Sequence, residues 1–311
     1  MNVLLTAIGS FSADCVVKTL KAQGYYVVGC DIYPAEWHAV SKDLDKVYRA
    51  PFATHHDEYI YFLLDVCKRE QITHLNPLTD LEIDVINRYR NRFEDQGIVL
   101  CMQSAACLAV ARDKSALTAM FAGNKLVHVP YSVSSEQLTA DFPIPAIAKP
   151  IDGRSSEGLM RNVGKEELAR LIGRPNYIIQ QQLEGSVFTV DFVRDRMGNS
   201  FCVPREELLR TKNGAGTTVR VVPDKQLLAA TAYIGEKLGV VGCVNMEFIH
   251  HNDAYYLIDL NPRFSAGVAF SCFVGYDMVT SHFNALNGLA ILPPAELREQ
   301  LVCKRYNEEA L

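Results

Sequence analysis

The sequence predicts an α/β protein: an open, mostly parallel sheet with helices on both faces, followed by a largely antiparallel α+β unit. Short apolar runs alternate with helix-patterned segments through the first hundred residues in the order βαβαβαβ, which calls for parallel strands and crossover helices. Beyond residue 104 the strand-like segments follow one another with few helices between them, the mark of antiparallel pairing. No internal repeat is visible.

Residues 2–8 are a continuous apolar run and read as a buried strand. Gly9-Ser10-Phe11-Ser12 makes the turn, and residues 12–23 read as a helix ended by Gly24. A second strand covers 25–30 and is closed by Asp31 and Pro34. Between 57 and 70, Tyr59, Phe62, Leu63 and Val66 recur at helical spacing. A third strand covers 72–78, a charged helix 81–93 and a fourth strand 98–102. Residues 105–122 are Ala-rich and helical. Strands follow at 146–150, 177–182, 186–194 and 200–203, around a Gly/Ser loop. A helix over 225–238 ends at Gly239, and strands at 244–250 and 254–260 are joined by the polar turn His251-Asn252-Asp253.

Composition narrows the function. The chain has 311 residues, 49% hydrophobic and 22% charged, as expected of a soluble globular protein. Lys and Arg number 31 against 36 Asp and Glu, and the net charge of -5 argues against nucleic acid as a partner. No apolar run approaches the ~20 residues of a membrane helix, so no membrane role is expected. The N-terminus lacks a basic segment and carries Asp14 early, which makes a poor secretory signal and points to a cytoplasmic protein. Nine scattered cysteines without a CxxC pair read as buried thiols in a reducing compartment.

Three motifs bear on chemistry. Gly9 and Asp31 invite a dinucleotide reading, in which the acid holds a ribose. The fingerprint needs three glycines near the pyrophosphate, and the frame Gly9-Ser10-Phe11-Ser12-Ala13-Asp14 keeps one. An NAD-dependent oxidoreductase is therefore only a remote alternative. The second motif runs from Lys149-Pro150 through Gly153, Ser155, Ser156 and Gly158. Small residues let successive backbone N–H groups turn toward one anion, and the strand lysine adds a cation. A plain hairpin loop is the bland alternative. The third motif is the strongest. Glu247 lies on one late strand, and Asp259 and Asn261 end the next. If the strands pair across the turn near Asn252, Glu247 and Asp259 face one side, and Asn261 follows by the strand period. Two carboxylates and an amide oxygen form a hard set suited to Mg²⁺, with Arg263 beside it.

Taken together, over residues 1–285, these segments resemble the carbamoyl-phosphate-synthase-like branch of the ATP-grasp carboxylate–amine ligases. Arg112-Asp113-Lys114 resembles the segment that opens the ATP-grasp region, and Ala148-Lys149-Pro150 with the following loop resembles the family's Lys-Pro strand and glycine-rich flap. Residues 178–185 resemble the adenine-side hinge. Pro204-Arg205-Glu206 and Arg210-Thr211-Lys212 resemble the segment that supplies cations near the triphosphate. The departures are Asp259 for the usual Glu, Gln180-Gln181 for Gln-Glu, and Val187 where the family often has a ribose-binding Glu.

The resemblance implies a Rossmann-like domain over 1–104, a linker helix and lid subdomain over 105–183, and a C-terminal ATP-grasp subdomain with the metal site over 184–311. It implies Mg²⁺, with Mn²⁺ as an alternative ion, on Glu247, Asp259 and Asn261. ATP is expected on Lys114, Lys149, Gly153, Ser155, Ser156, Gly158, Gln181, Gln182, Leu183 and Glu184. Arg205 and Arg263 are expected to face the transferring phosphoryl group. The implied activity is ATP-dependent activation of a small-molecule carboxylate as an acyl phosphate and its joining to an amine. A homodimer is compatible with this. A small-molecule kinase and a non-catalytic ATP-binding protein are the alternatives on the same fold.

Overall fold

The structure, a computed structural model, describes residues 1–153, 157–212 and 214–304. Strands β1 (Asn2–Thr6), β2 (Tyr26–Asp31), β3 (Lys46–Arg49), β4 (His74–Asn76) and β5 (Val99–Leu100) form one parallel sheet in the order β3-β2-β1-β4-β5. Val3, Leu4, Leu5, Val27 and Val28 are all fully buried, because helices cover both faces. Helix α1 (Ala13–Ala22) packs Val16, Val17 and Leu20 against the face of Val3 and Leu5. Helices α2 (His56–Arg69), α3 (Asp80–Arg88) and α4 (Arg90–Glu94) cover the face of Leu4 and Val28.

Three local expectations change here. β3 is an edge strand with only two apolar residues between Lys46 and Arg49, so it carries no apolar run to read. The helix expected over 81–93 is broken at Tyr89, whose φ of -113° and ψ of 18° leave the helical region. The Ala-rich segment also divides, into α5 (Ala105–Ala111) and α6 (Lys114–Phe121). Asp113 makes that break by accepting from the Ala116 N–H at 2.9 Å, the preference of a carboxylate for a helix start.

The rest of the chain builds two antiparallel sheets. Strands β6 (Ser132–Ser134), β7 (Ala146–Pro150), β8 (Met160–Val163) and β9 (Tyr177–Gln181) lie in the order β6-β9-β7-β8, backed by α7 (Lys165–Leu171). Strands β10 (Ser186–Arg194), β11 (Ser200–Arg210), β12 (Gly216–Val221), β13 (Gly242–His251), β14 (Ala254–Asn261) and β15 (Gln300–Cys303) form the larger sheet, in the order β14-β13-β10-β11-β12-β15. Helices α8 (Lys225–Lys237), α9 (Val268–Phe273) and α10 (Met278–Leu286) complete the fold.

Alternation sorts the larger sheet into two faces. Val190, Phe192, Val244, Met246 and Phe248 are buried against α5, α6 and α8. The intervening Val187, Thr189, Asn245, Glu247 and Ile249 line a cleft instead. All nine cysteines are free thiols. No helix among the described residues is long and apolar enough to cross a membrane.

Candidate active site

A cleft of about 620 Å³ lies where the three sheets meet. The parallel sheet contributes the loops after β1 and β4, the four-stranded sheet contributes Ile147, Lys149 and Gln180, and the larger sheet contributes its polar face.

Register sets that face. Glu247 is directly opposite Asp259, Asn245 opposite Asn261, and Thr189 of β10 opposite Glu247. Directly paired residues share a face, so the oxygens converge. The hairpin alone would not do this. From its turn, His251 pairs Ala254, His250 pairs Tyr255 and Phe248 pairs Leu257. A regular ladder would then set Ile258 against Glu247 and turn Asp259 toward the core. A bulge between Glu247 and Phe248 inserts one residue on β14 and restores Asp259 and Asn261 to the cleft. The core residues record the same slip: Tyr255 and Leu257 are two apart, but the next one is Leu260.

The oxygen-rich face is short of donors. Asn245 Oδ1, Thr189 Oγ1 and Glu207 Oε2 are buried without a hydrogen-bond partner among the described residues. Burial, with the charges of Asp259 and Glu207, pushes the Glu247 carboxyl up, against the pull of Arg210 Nη2 at 3.3 Å. Such unpaired oxygens fit a divalent cation and its water. Among the described residues no cluster of three His, Cys, Asp or Glu side chains is set to hold a metal. The set here is two carboxylates and an amide, which leaves positions for oxygens from outside the protein.

Cations border the face. Lys149 Nζ donates to the Ile258 carbonyl at 2.8 Å, the carbonyl of the bulge residue. Burial pulls the Lys149 ammonium down to about 8; Asp259 opposes that pull and Lys114 adds to it. Lys114, at the first position of α6, donates to the Gly153 carbonyl at 2.7 Å and stands 3.8 Å from Asp259 Oδ1. It therefore ties the start of the glycine loop to the acids. Arg263 Nη2 is 2.8 Å from Asp80 Oδ2 and 3.5 Å from Asn261 Oδ1.

Other site residues fall differently. Arg205 does not face the cleft as a free cation. It is fully buried, and its Nη1 binds Asp191 Oδ2 at 2.5 Å and Ser271 Oγ at 2.7 Å, while Nη2 reaches Ser265 Oγ at 3.3 Å. It borders the cleft, but its pairing with an equally buried carboxylate occupies its guanidinium. In the hinge, the strand period turns Gln180 toward the cleft with Ile147, its partner across the ladder. Gln181, Gln182, Leu183 and Glu184 are not part of the cleft wall. Gln182 instead exchanges bonds with Asn162, at 2.8 and 2.7 Å. Gly153 lines the cleft, and Gly158 packs beside Pro150 with φ of +69°. Ser155 and Ser156 lie outside the described residues.

The dinucleotide reading finds no support. Asp31 accepts from the Gly9 N–H at 2.9 Å and the Tyr33 N–H at 3.1 Å, and a Cβ on Gly9 would lie 2.7 Å from the His38 ring. The acid braces its own turn, and the His38 ring packs against Gly9. The sequence also missed two ties: Asp80 to Arg263, and the Arg112–Asp84 pair at 3.0 and 3.1 Å. Thr79, just before α3, donates to buried Glu82 at 2.7 Å.

Part of the chain matches an ATP-grasp family model, and the fold is similar to those of solved ATP-grasp enzymes. Residues 173–308 match a family described as ATP-grasp in the biosynthetic pathway with Ter operon. Residues 3–101 match the PylC-like N-terminal domain. The carbamoyl phosphate synthase large chain of Agathobacter rectalis is 26% identical over 153 residues, which cover 44% of this chain and 14% of that one. Among solved structures, the biotin carboxylase domain of the Hydrogenobacter thermophilus 2-oxoglutarate carboxylase, a dimer in complex with MgADP and bicarbonate, superposes with a TM-score of 0.76 at 16% identity. It covers 93% of this chain and 70% of its own. The N5-carboxyaminoimidazole ribonucleotide synthetase of Thermus thermophilus gives 0.73 at 17% identity, over 94% and 79%.

Proposed function

We propose that this protein is an ATP-dependent ligase that activates a small-molecule carboxylate as an acyl phosphate and joins it to an amine. The single observation that carries the reading is the facing of Glu247, Asp259 and Asn261 across one bulged hairpin, opposite Lys149 and Lys114. The units proposed are 1–104, 105–183 and 184–311, and the assembly a homodimer.

A carboxylate oxygen attacks the γ-phosphorus of ATP, the bond to the bridging oxygen breaks, and ADP leaves. The amine nitrogen then attacks the acyl carbon, gives up its proton and expels phosphate. Both reactants of the first step are anions, so the site's task is to offset charge. Glu247, Asp259 and Asn261 would hold Mg²⁺, which would supply Lewis acidity to the phosphate oxygens. Lys149 leaves the Ile258 carbonyl to bind phosphate, and its partial desolvation makes that exchange favourable. Lys114 holds the start of the glycine loop through the Gly153 carbonyl. Arg263, aimed by Asp80, neutralises the acyl phosphate. Arg205 acts by position: it fixes Ser265, and with it the 265–267 turn of the cleft wall. Closure of the loop after Pro150 excludes the water that would hydrolyse the intermediate.

The test is ADP release with Mg-ATP across a panel of carboxylates and amines, followed by hydroxylamine trapping. A ligase gives ADP together with a hydroxamate of its own carboxylate. ADP with a stable phosphorylated product and no hydroxamate marks a kinase and rejects the reading.

A further inference from the structure

In the parallel sheet the strand order reverses between β1 and β4, the place where open α/β sheets hold ligands. The segment that leaves β4 brings Leu78, Thr79, Asp80 and Leu81 to the cleft wall. Asp80 is engaged by Arg263. Thr79 is half-buried, with one side toward the cleft and its hydroxyl proton directed behind it.

What lies behind is the buried carboxylate of Glu82. Its Oε2 accepts from Thr79 Oγ1 and from Thr6 Oγ1, both at 2.7 Å, and its Oε1 accepts from the Tyr59 hydroxyl at 2.9 Å. Thr6 ends β1 and Tyr59 lies on α2, so three segments aim hydroxyls at one acid. Burial pushes the Glu82 carboxyl up, and the bonds from Thr79, Thr6 and Tyr59 pull it down. An ionised carboxylate only accepts, whereas a hydroxyl has one proton to give and two lone pairs. The Thr79 proton is therefore spent on Glu82. Its oxygen keeps acceptor capacity alone for the cleft.

We infer that Thr79 Oγ1 holds an N–H of the acceptor amine, and that Glu82 is the positioning residue that fixes the hydroxyl in that sense. The inference rests on the ligase reading for the word acceptor. Charge selects the same kind of group: an N–H donor faces a lone pair backed by a buried negative charge. A carboxylate or phosphate oxygen at this spot would meet both with no proton between them. Thr79 is next in the chain to Asp80, whose partner Arg263 stands 3.5 Å from Asn261 Oδ1. An amine on Thr79 is thus one residue removed from the ion pair that borders the metal-binding oxygens. One of its N–H groups is engaged there, which leaves the nitrogen lone pair for the acyl carbon.

Hydroxylamine is the probe, since it takes the acceptor's place in the trapping assay. Thr79→Val keeps the side chain's shape and removes its oxygen. It should raise the KM for hydroxylamine, and for the best amine of the ADP-release panel, about three- to tenfold, the worth of one hydrogen bond. The KM for ATP and for the carboxylate should not move, and Thr79→Ser should restore the wild-type value. Glu82→Gln offers Thr79 an amide N–H to accept, which frees the hydroxyl proton to point into the cleft. It should raise the same KM in the wild type and leave it unchanged in the Thr79→Val background. An equal effect of Glu82→Gln in both backgrounds removes its positioning role. An amine KM that ignores Thr79→Val overturns the inference and spares the ligase reading. Ligand-observed NMR of n-propylamine with the nucleotide-free protein gives a readout without turnover: binding should weaken in Thr79→Val and recover in Thr79→Ser. In a protein that releases no ADP, that pattern keeps the site and rejects the ligase reading, and its absence rejects both.

Discussion

Arg263 Nη2 lies 2.8 Å from Asp80 Oδ2, and the two residues are 183 positions apart. One leaves the hairpin that carries the acids, and the other opens the first turn of α3 in the parallel sheet domain. This ion pair joins the wall of the cleft from the parallel sheet to the wall that carries the acids. Asp80→Asn and Arg263→Lys should each lower kcat about tenfold or more while moving the KM for ATP little. A double-mutant cycle on kcat/KM should return a coupling of about 1.5–3 kcal/mol. Additive effects would show that the pair does not act in turnover.

Removing the acids should separate binding from folding. Glu247→Gln and Asn261→Ala should abolish ADP release and the Mg-dependent part of ATP stabilisation in a melting assay. The metal-free melting temperature should fall little for Glu247→Gln, since burial already disfavours that charge. Full turnover in both variants would remove the metal assignment.

Lys149 gives opposite pH signatures for binding and for stability. Its folded-state pKa is about 8, below the ordinary 10.5. ATP needs the charged form, so affinity should fall as pH rises through 8, by up to about tenfold per unit; calorimetric titration checks this. Lys149→Arg should flatten the profile. In the nucleotide-free protein the unfolded chain holds the proton up to 10.5. Between 8 and 10.5 it therefore binds more protons than the folded state, and this group's contribution to stability rises with pH. Comparing the melting temperature of the wild type with Lys149→Met across that window isolates the effect.

Arg205 should behave as a structural ion first. Arg205→Ala strands a fully buried Asp191 carboxylate and should cost about 3–5 kcal/mol in urea unfolding. Lysine should rescue little, because it cannot span Asp191, Ser271 and Ser265 together. A stable Arg205→Ala protein with lost turnover would return Arg205 to the reacting phosphate.

The hinge between the two antiparallel sheets turns at Gly185. A Cβ there would lie 1.9 Å from the His250 carbonyl oxygen. Gly185→Ala should destabilise by about 1–3 kcal/mol through forced backbone shift and raise the KM for ATP, because the four-stranded sheet is carried on that turn. At Gly239 a Cβ meets nothing within 4 Å. Gly239→Ala, with only its φ of +61° to strain, should cost about 1 kcal/mol and leave KM alone.

Much of this was legible in the chain. Buried parallel strands announce themselves as unbroken apolar runs, as Val3–Leu4–Leu5 and Val27–Val28 do. The strand-ending Lys149 and the oxygen residues of the late hairpin were visible because chemistry-bearing side chains stood in apolar surroundings. What stayed hidden is tertiary. Nothing local marks Asp80 as the partner of Arg263, or Arg205 as the partner of Asp191. Lys46–Arg49 pairs through its backbone at a sheet edge, so its side chains need no pattern. The break at Tyr89 comes without proline or glycine.

The extra residue at Ile258 matters most for how this family of sites can vary. Side chains on a strand have only two orientations, so the hairpin works as a parity check. Shortening it by one residue beside Ile258 would send Asp259 and Asn261 into the hydrophobic layer and leave the composition almost untouched. Lengthening the His251–Ala254 turn by a matched pair of residues would spare them. Homologous hairpins that keep the acids should therefore differ in length by even numbers, and an odd change should coincide with loss of nucleotide turnover.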